Sequence, residues 1–273
     1  MGFKNKNTYK TSLEVKYGLP EKVIYCKKCV YSNQRPSSTI EFKNNKAQSK
    51  TTLLFDEDGV CNACKWAEMK DNEIDWEEKE YELKKLCEKY RSNNGNYDCI
   101  VPGSGGKDST FTAHVLKYKY NMNPLTVTWA PHVYTNVGFS NFQKWIHSGL
   151  DNVLITPNGK IHRLLTKLAF ENLVHPFQPF IIGQRHVAPK ASAMYKVPLV
   201  FYGDNPAEWG NNIEDNFKPT MEREFFEGDQ DLSKLILAGI PANELIKDYN
   251  VQAGELAPYL PAKKEVLREV GTE

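Results

Sequence analysis

A glycine-containing loop, Ser104-Gly-Gly-Lys-Asp-Ser109, separates a short apolar segment from an amphipathic one. Residues 97–101 have the length and composition of a buried strand, and residues 109–120 have the apolar spacing of a helix. Glycine lets a backbone approach a ligand closely, and the N-terminus of a helix attracts anions. This strand–loop–helix unit constrains the region to fold around a parallel sheet, with the loop at the carboxyl end of a strand.

Strands and helices continue to alternate after this unit. Further strands are predicted at 125–129, 153–156 and 198–202, and helices at 141–148, 161–172 and 188–195. Such alternation favours an α/β fold, a doubly wound parallel sheet with helices on both faces. Beyond residue 203 the chain becomes richer in loops, with helices predicted at 222–226, 232–237 and 242–249.

The loop has the chemistry of a phosphate site without matching the two commonest phosphate motifs. A Walker A loop needs glycine and then Ser or Thr where Val101 and Asp108 stand, and Asp108 also replaces the third glycine of the dinucleotide motif. Serine hydroxyls, one lysine and a carboxylate that could hold Mg²⁺ accompany the two glycines. The predicted nucleotide-binding residues are Ser104, Gly105, Gly106, Lys107, Asp108 and Ser109, with Thr128 and Trp129 placed to meet adenine or ribose.

Two CxxC pairs, 31 residues apart, mark a second feature of the chain. Four thiolates close a tetrahedral shell around one ion and leave no position for a substrate, so the predicted role is structural. The predicted ligands are Cys26, Cys29, Cys61 and Cys64, with zinc favoured over an iron–sulfur cluster or a redox dithiol. Cys87 and Cys99 are predicted to be buried structural residues.

These features predict an N-terminal arm at 1–20, a zinc module at 21–70, a connecting helix at 71–95 and a nucleotide domain at 96–273. Asp75 is placed to cap the connecting helix. The sequence has no apolar run long enough to span a membrane and no signal-peptide core, so we expect a cytoplasmic protein. A net charge of +1 gives no electrostatic sign of a nucleic-acid partner.

Ser104-Gly-Gly-Lys-Asp-Ser109 resembles the SGGxDS signature of the PP-loop ATP pyrophosphatases, whose fold is that of the adenine nucleotide alpha hydrolases. The resemblance implies a doubly wound α/β domain that cleaves ATP between its α- and β-phosphates. Such enzymes transfer AMP to a substrate oxygen, which a nitrogen or sulfur nucleophile then displaces. In that chemistry Lys107 and Asp108 would be the catalytic residues.

Several stretches in order resemble one family, the N-acetyl sugar amidotransferases of bacterial surface glycans (lipopolysaccharide O-antigen, pseudaminic and legionaminic acids, and flagellin glycosylation). They are Tyr25-Cys-Lys-Lys-Cys29, Phe55-Asp-Glu-Asp-Gly-Val-Cys-Asn-Ala-Cys64, residues 102–109, Thr128-Trp-Ala-Pro-His132, Thr135-Asn-Val-Gly138, residues 175–184 and residues 202–211. The chain has Asp204 and Trp209 where the family usually has Glu and Tyr. Members run on beyond the last residue here, which implies a chain truncated at its C-terminus.

The resemblance implies that an acetamido group of an N-acetyl sugar becomes an acetamidino group. No glutaminase nucleophile is found in the sequence, so ammonia would come from a separate subunit or from solution. The resemblance implies that a partner glutaminase with a cyclase-like subunit supplies it. Candidate sugar contacts follow the predicted strands, and Trp209 could stack on a sugar ring. They are Gln184, Asp204, Asn205, Glu208, Trp209 and Asn211.

Other polar residues leave their roles open. His132, His175 and His186 could act as bases or as hydrogen-bonded structural residues. Lys190 could reach a phosphate or lie exposed on the surface.

Two other functions fit parts of the pattern. A zinc module beside a PP-loop domain also suits a tRNA-modifying enzyme of the thiolase type, although residues 96–273 carry 17 basic and 19 acidic side chains and lack catalytic cysteines. A non-catalytic zinc-ribbon scaffold is the second alternative, which the intact loop disfavours.

Overall fold

The computed structural model describes residues 12–45 and 49–273, apart from the side chains of residues 215 and 216. The α-helices are α1 (Leu13–Lys16), α2 (Asn62–Asn72), α3 (Trp76–Tyr90), α4 (Lys107–Tyr118), α5 (Asn136–Ile146), α6 (Gly159–Leu173), α7 (Gln178–Tyr195), α8 (Ile213–Asn216), α9 (Ala242–Asp248) and α10 (Lys264–Val270). The β-strands are β1 (Cys99–Pro102), β2 (Pro124–Trp129), β3 (Asn152–Ile155), β4 (Glu227–Gly228), β5 (Ile236–Leu237), β6 (Ile240–Pro241) and β7 (Ala262–Lys263). Short 3₁₀ helices lie at Glu41–Lys43, Pro206–Trp209, Arg223–Phe225 and Ala253–Tyr259.

The chain folds as two compact units. The first comprises the described residues of Met1–Ser38, Lys46–Glu73 and Pro206–Phe217, so a segment distant in sequence joins the cysteine pairs. The second comprises Thr39–Asn45, Ile74–Asn205 and Lys218–Glu273. Residues 1–11 of the predicted arm and residues 46–48 of the predicted zinc module lie outside the described residues.

A parallel sheet of three strands, in the order β1-β2-β3, forms the centre of the second unit. Every residue of β1 and β2 is buried, as expected for parallel strands that are covered on both faces. Residues 198–202, predicted as a fourth strand, make only one parallel bridge, between Val200 and Ile100. On its other side the segment makes two backbone hydrogen bonds with Glu273, whose N–H donates to the Pro198 carbonyl at 2.8 Å and whose carbonyl accepts from the Val200 N–H at 2.9 Å.

Helices pack on both faces of this sheet. On one face, Ile100 and Val127 belong to a hydrophobic cluster with Leu165 of α6 and Ile182 of α7. On the other face, Cys99 and Val101 pack with residues of α3, α4 and α5, among them Cys87, Ala113 and Trp145. The predicted burial of Cys87 and Cys99 is confirmed. Alternate side chains of a strand point to opposite faces, which is why neighbouring residues of β1 enter different clusters.

The helix before residue 198 is longer than the sequence indicates. The sequence predicts a helix only at 188–195. In the structure α7 begins at Gln178 and Pro189 lies in its interior. Proline cannot donate to the carbonyl of Arg185, four residues earlier, and the Tyr202 hydroxyl donates to that carbonyl instead, at 3.2 Å.

Two other predicted helices change type. The helix predicted at 232–237 is wrong, because β5 and β6 form a hairpin there. Ala238 and Gly239 connect these strands with φ of 56° and 80°, the left-handed conformation of a tight hairpin turn. The helix predicted at 222–226 is only the 3₁₀ turn Arg223–Phe225, whereas α9 confirms the helix predicted at 242–249.

Two helices begin at residues whose side chains cap them. Asp75 caps α3 as predicted, accepting from the N–H groups of Glu77 and Glu78 at 3.0 Å each. Helix α5 begins five residues before its predicted start, because the Thr135 hydroxyl accepts from the Gly138 N–H at 3.0 Å. Within the described ranges, no helix combines the length and the apolar character needed to cross a bilayer.

Candidate functional site

Each cysteine pair of the first unit lies at a small hairpin: Cys26 and Cys29 belong to the first, whereas Cys61 ends the second and Cys64 lies in the first turn of α2. Tyr25 bridges Ser32 and Phe55 bridges Cys61, both in antiparallel orientation. The Cys26 N–H donates to the Tyr31 carbonyl at 2.8 Å, which closes the first turn. Such turns direct both cysteine side chains of a pair toward one point, which is the geometry of a zinc knuckle.

The four sulfur atoms of Cys26, Cys29, Cys61 and Cys64 all lie within 4.8 Å of one another. Two of the separations are 4.0 Å (Cys26 to Cys64) and 3.6 Å (Cys29 to Cys61). A tetrahedral ion with Zn–S bonds of about 2.3 Å places its ligands about 3.8 Å apart. An iron–sulfur cluster would hold the thiolates further apart, because they bind different iron atoms. The predicted cluster is therefore formed, and it could hold one structural zinc ion.

The backbone around Cys26 also favours a thiolate. Burial raises the pKa of a thiol, but the N–H groups of Cys61, Lys28 and Cys29 outweigh it here and lower the pKa of Cys26 to about 6. Two of these donors, Cys61 and Lys28, lie 3.3 Å from the sulfur. Burial raises the pKa of Cys61 instead. Because four thiolates in one place repel each other, a divalent cation is the group that these residues fit.

The loop Ser104–Ser109 connects β1 to α4 in the second unit. Gly105 has φ of 89°, and an added Cβ would lie 2.5 Å from the carbonyl oxygen of Asn141. An added Cβ at Gly106 would have nothing within 4 Å. The loop is thus packed on one side, at Gly105, and open on the other, at Gly106.

Helix α4 starts directly after this opening. Gly106 is its N-cap and provides no side-chain hydrogen bond, and the first bond of the helix runs from the Thr110 N–H to the Gly106 carbonyl at 3.1 Å. The N–H groups of Lys107, Asp108 and Ser109 precede that bond, which makes this end of the helix suited to an anion. Lys107 and Asp108 are exposed and form an ion pair with each other.

Thr128 and Trp129, predicted to contact the nucleotide, both lie in the core. The Thr128 hydroxyl accepts from Trp145 Nε1 at 3.3 Å and from Asn152 Nδ2 at 3.1 Å. Trp129 packs directly on α7, where an added Cβ at Gly183 would lie 2.1 Å from the Trp129 ring. The side chains of Thr128 and Trp129 therefore pack in the core at the end of β2.

The six candidate sugar contacts are divided between the units. Gln184, Asp204 and Asn205 belong to the second unit, and Glu208, Trp209 and Asn211 to the first. Asn211 is buried and accepts from the Ser38 N–H at 3.1 Å, and Glu208 pairs with Lys70 Nζ at 2.6 Å. These contacts give Asn211 and Glu208 structural roles within the first unit.

The histidines named from the sequence have distinct positions. His186 is fully buried, His132 is exposed and stacks on the buried His162, and His175 faces Glu41 with its Nε2 3.6 Å from the carboxylate. Lys190 donates to the carbonyls of Ala257 and Pro258 at 2.9 and 2.8 Å. Burial lowers the pKa of Lys190 to about 8.

Sequence reasoning did not find His162 or Tyr259. His162 Nδ1 lies 2.6 Å from the Tyr259 hydroxyl, across 97 residues of sequence. Burial, and then the nearby His132, lower the pKa of His162 to about 4. No local pattern signals this pairing, because Tyr259 is brought to α6 only by the tertiary fold.

No protein-family model matches the chain. An uncharacterized protein of Methanocaldococcus jannaschii is similar to it, with 32% identity over 81 residues. The match covers 29% of this chain and 28% of that protein, so the chain spans well under two thirds of the relative's length.

Proposed function

We propose that this protein is an ATP-dependent amidotransferase that adenylates the acetamido carbonyl of an N-acetyl sugar and replaces its oxygen with an NH group from ammonia. The observation that carries the proposal is the loop Ser104–Ser109, open at Gly106 and followed by an uncapped helix N-terminus. The order of residues along the chain, similar to that of the N-acetyl sugar amidotransferases, supplies the substrate class.

The strand arrangement supports a doubly wound PP-loop fold. The Val200 segment lies on one side of β1, and β2 lies on the other side. The order of the strands therefore reverses at β1. Ligands of such sheets bind at the carboxyl ends of the strands beside this point. Gly203 follows the Val200 segment and packs on α4, where its added Cβ would lie 2.8 Å from the Asp108 carbonyl carbon.

In this proposal the first N–H groups of α4 and the hydroxyls of Ser104 and Ser109 bind the phosphates of ATP. Lys107 leaves its ion pair with Asp108 and neutralises charge on the departing pyrophosphate. Asp108 is then available to hold Mg²⁺, which supplies Lewis-acid stabilisation of the phosphates. Thr128 and Trp129 keep the adjacent end of β2 in place.

The reaction has two steps. The acetamido oxygen attacks the α-phosphorus of ATP, a new P–O bond forms, and pyrophosphate leaves with the electrons of the broken bond. Ammonia then attacks the imidate carbon, and AMP departs with the former carbonyl oxygen, leaving an amidine. The first step converts a poor leaving group, the amide oxygen, into a phosphate ester that can be expelled.

The remaining parts of the proposal concern partners and setting. A structural zinc ion would stabilise the first unit through its four cysteines. A separate glutaminase with a cyclase-like subunit would supply ammonia in the cytoplasm, in the synthesis of a bacterial surface glycan.

The test follows the nucleotide and the sugar together. The full-length protein with zinc is incubated with Mg²⁺-ATP, ammonium and a panel of diacetamido sugars, and products are identified by mass spectrometry. We expect AMP in equal amount to a sugar in which NH replaces O. Lys107→Ala should slow turnover by about 100-fold or more, as loss of a charge-stabilising group does, whereas Lys167→Ala, an exposed lysine of α6, should not.

Other outcomes would identify a different function. ADP in place of AMP would exclude adenylation. ATP binding without sugar turnover, together with tight and salt-sensitive tRNA binding, would favour the tRNA-modifying alternative. Absence of both ATP binding and turnover would favour the zinc-ribbon scaffold.

A further inference from the structure

A cavity of about 320 Å³ opens at the surface of the second unit, a volume within the range of small-molecule sites, about 300–1,000 Å³. Two buried side chains, Phe42 and Leu235, line its floor, and exposed charged side chains form its rim. None of the described residues that line it belongs to the phosphate loop. The cavity is therefore a second place at which this unit could hold a ligand.

Two ion pairs occupy part of the rim. Lys234 Nζ lies 3.0 Å from the Asp229 carboxylate, and Lys43 Nζ lies 3.7 Å from that of Glu224. All four side chains are more than half exposed, so water screens their charges. Because the charges of each pair also cancel, these four residues give the cavity little net charge.

Two other charged groups of the lining, Glu227 and Lys264, remain able to bind a ligand. The Glu227 side chain is only 9% exposed, and its Oε2 accepts from Arg223 Nη1 at 3.2 Å. Its Oε1 lies 3.9 Å from Arg268 Nη2, which is beyond hydrogen-bond distance. Among the described residues Lys264 has no ion-pair partner. The cavity thus offers one carboxylate oxygen and one ammonium group.

The ladder between β4 and β7 places these two groups on one side. The strands are parallel, with Glu227 opposite Ala262 and Gly228 opposite Lys263. Lys264 follows β7 directly as the first residue of α10. Residues two apart along a strand share a face, so Lys264 lies on the side of Ala262 and Glu227, and Lys263 on the other. The fold therefore fixes a carboxylate and an ammonium group over the same apolar floor.

We propose that Glu227, Lys264, Phe42 and Leu235 form a binding site for a free α-amino acid with an apolar side chain. Such a molecule has an ammonium group for Glu227, a carboxylate for Lys264 and an apolar group for the floor. Both polar contacts are then charge-assisted, which makes them stronger than neutral hydrogen bonds. The site shares no residue with the phosphate loop, so this inference goes beyond the proposed function and does not depend on it.

The test uses L-phenylalanine as the probe and measures its binding by NMR titration of the ligand signals. Each of three analogues lacks one charge: 3-phenylpropionate has no ammonium group, N-acetyl-L-phenylalanine has a neutral N–H in its place, and phenethylamine has no carboxylate. We expect each analogue to bind about tenfold or more weakly than L-phenylalanine, because each loses one charge-assisted contact.

Variants locate the two contacts. Lys264→Gln should weaken the binding of L-phenylalanine by about tenfold or more but leave that of phenethylamine unchanged. Glu227→Gln should weaken the binding of both but not that of 3-phenylpropionate. Glu227→Gln also alters the partner of Arg223, so Lys264→Gln, at an exposed residue, keeps the test decisive if the first variant does not fold. Lys263→Gln is the matched control, because this neighbouring exposed lysine does not line the cavity, and it should change nothing.

Three outcomes would overturn the site. One is the absence of saturable binding of L-phenylalanine and L-leucine at up to about 10 mM, which would leave water in the cavity. Another is equal affinity for L-phenylalanine and 3-phenylpropionate, because the ammonium group would then make no contact. The third is equal loss in Lys264→Gln and Lys263→Gln, because binding would then depend on surface charge alone. Conversion of an N-acetyl sugar to its amidine is measured separately, so either proposal can fail while the other stands.

Discussion

Gly105 and Gly106 lack side chains for different reasons. Gly105 has a left-handed backbone and no room for a Cβ, because the Asn141 carbonyl lies against it. Gly106 has an extended backbone, with φ of −69° and ψ of 154°, and open space around it. Packing thus explains glycine at 105, whereas at 106 no packing contact requires it, and the proposed approach of a phosphate would.

The first prediction separates these two reasons. Gly105→Ala should lower the free energy of unfolding by about 1–3 kcal/mol, through strain and contact with Asn141. Gly106→Ala should leave stability within about 0.5 kcal/mol of the parent but weaken ATP binding by about tenfold or more, because the methyl group occupies the phosphate approach. Urea unfolding and calorimetric titration measure the two effects.

Gly254→Ala is the control for this pair, since an added Cβ there also meets nothing within 4 Å. It should affect neither quantity. Unchanged ATP binding in Gly106→Ala would show that phosphate does not approach the loop at this residue.

Among the elements, α7 lacks one of its backbone hydrogen bonds, and a side chain outside the helix replaces that bond. Pro189 removes the N–H that would bond the Arg185 carbonyl, and the hydroxyl of Tyr202 takes its place. The Arg185 guanidinium also lies 5.8 Å from the Tyr202 ring centre. Burial raises the pKa of Tyr202 to about 12, so its hydroxyl stays protonated and able to donate. Helix α7 is therefore hydrogen-bonded to Tyr202. The next residue, Gly203, packs on the first turn of α4, which follows the phosphate loop.

The second prediction is a double-mutant cycle on this bond. Tyr202→Phe should destabilise the protein by about 1–2 kcal/mol, because it leaves the Arg185 carbonyl without a donor. In Pro189→Ala the helix regains its own N–H, so adding Tyr202→Phe to that variant should cost much less. Urea unfolding of the four proteins gives the coupling energy, and additive effects would mean that Tyr202 does not replace the missing donor.

For the whole molecule, two buried neutral histidines make stability depend on pH. Burial lowers the pKa of His162 to about 4, and the nearby His132 adds to this effect. Burial likewise lowers the pKa of His186 to about 3, and the nearby Lys190 adds to it. In the unfolded chain both groups titrate near about 6.5. Below that pH the unfolded state binds more protons than the folded state, so stability decreases as pH falls.

The third prediction follows from that sign. The free energy of unfolding should be constant between about pH 7 and 8 for these groups, and should fall by about 1 kcal/mol per histidine per pH unit below about 6.5. His186→Phe should flatten this slope, and His114→Gln, which replaces an exposed histidine, should not. Urea unfolding at pH 7.5, 6.5 and 5.5 distinguishes the variants. An equal slope in all three proteins would contradict the assignment.

The fourth prediction concerns metal removal. The protein should bind one zinc ion per chain, and a chelator or Cys61→Ser should remove it, because a closed thiolate shell needs all four ligands. Hydrogen exchange followed by mass spectrometry should then show lost protection in α2 and in Pro206–Phe217 of the first unit. Cys87→Ser, outside the metal cluster, should retain the metal. Full protection after chelation would show that the metal does not stabilise this unit.

Local patterns predicted much of this molecule. The cysteine spacing indicated the four-cysteine cluster, the glycines at 105 and 106 indicated a loop between a strand and a helix, and Asp75 indicated the start of α3. Such features depend on neighbours within a few residues, so the sequence alone contains their cause. The hairpin at Ala238 was missed because it lacks such a local signal: left-handed φ at a residue other than glycine or asparagine is not indicated by the residue type.

The tertiary structure alone decided where distant residues meet. It placed residues 206–217 with the cysteine hairpins, used Thr128 and Trp129 as core residues, and brought Tyr259 to His162. It also allowed Pro189 inside a helix, because Tyr202 supplies the missing donor. These outcomes depend on packing and on hydrogen bonds between segments far apart in sequence. Their energies exceed local preferences but leave no local pattern, which is why the sequence by itself determined the elements with local signals, and the fold determined the remaining elements and the contacts between distant residues.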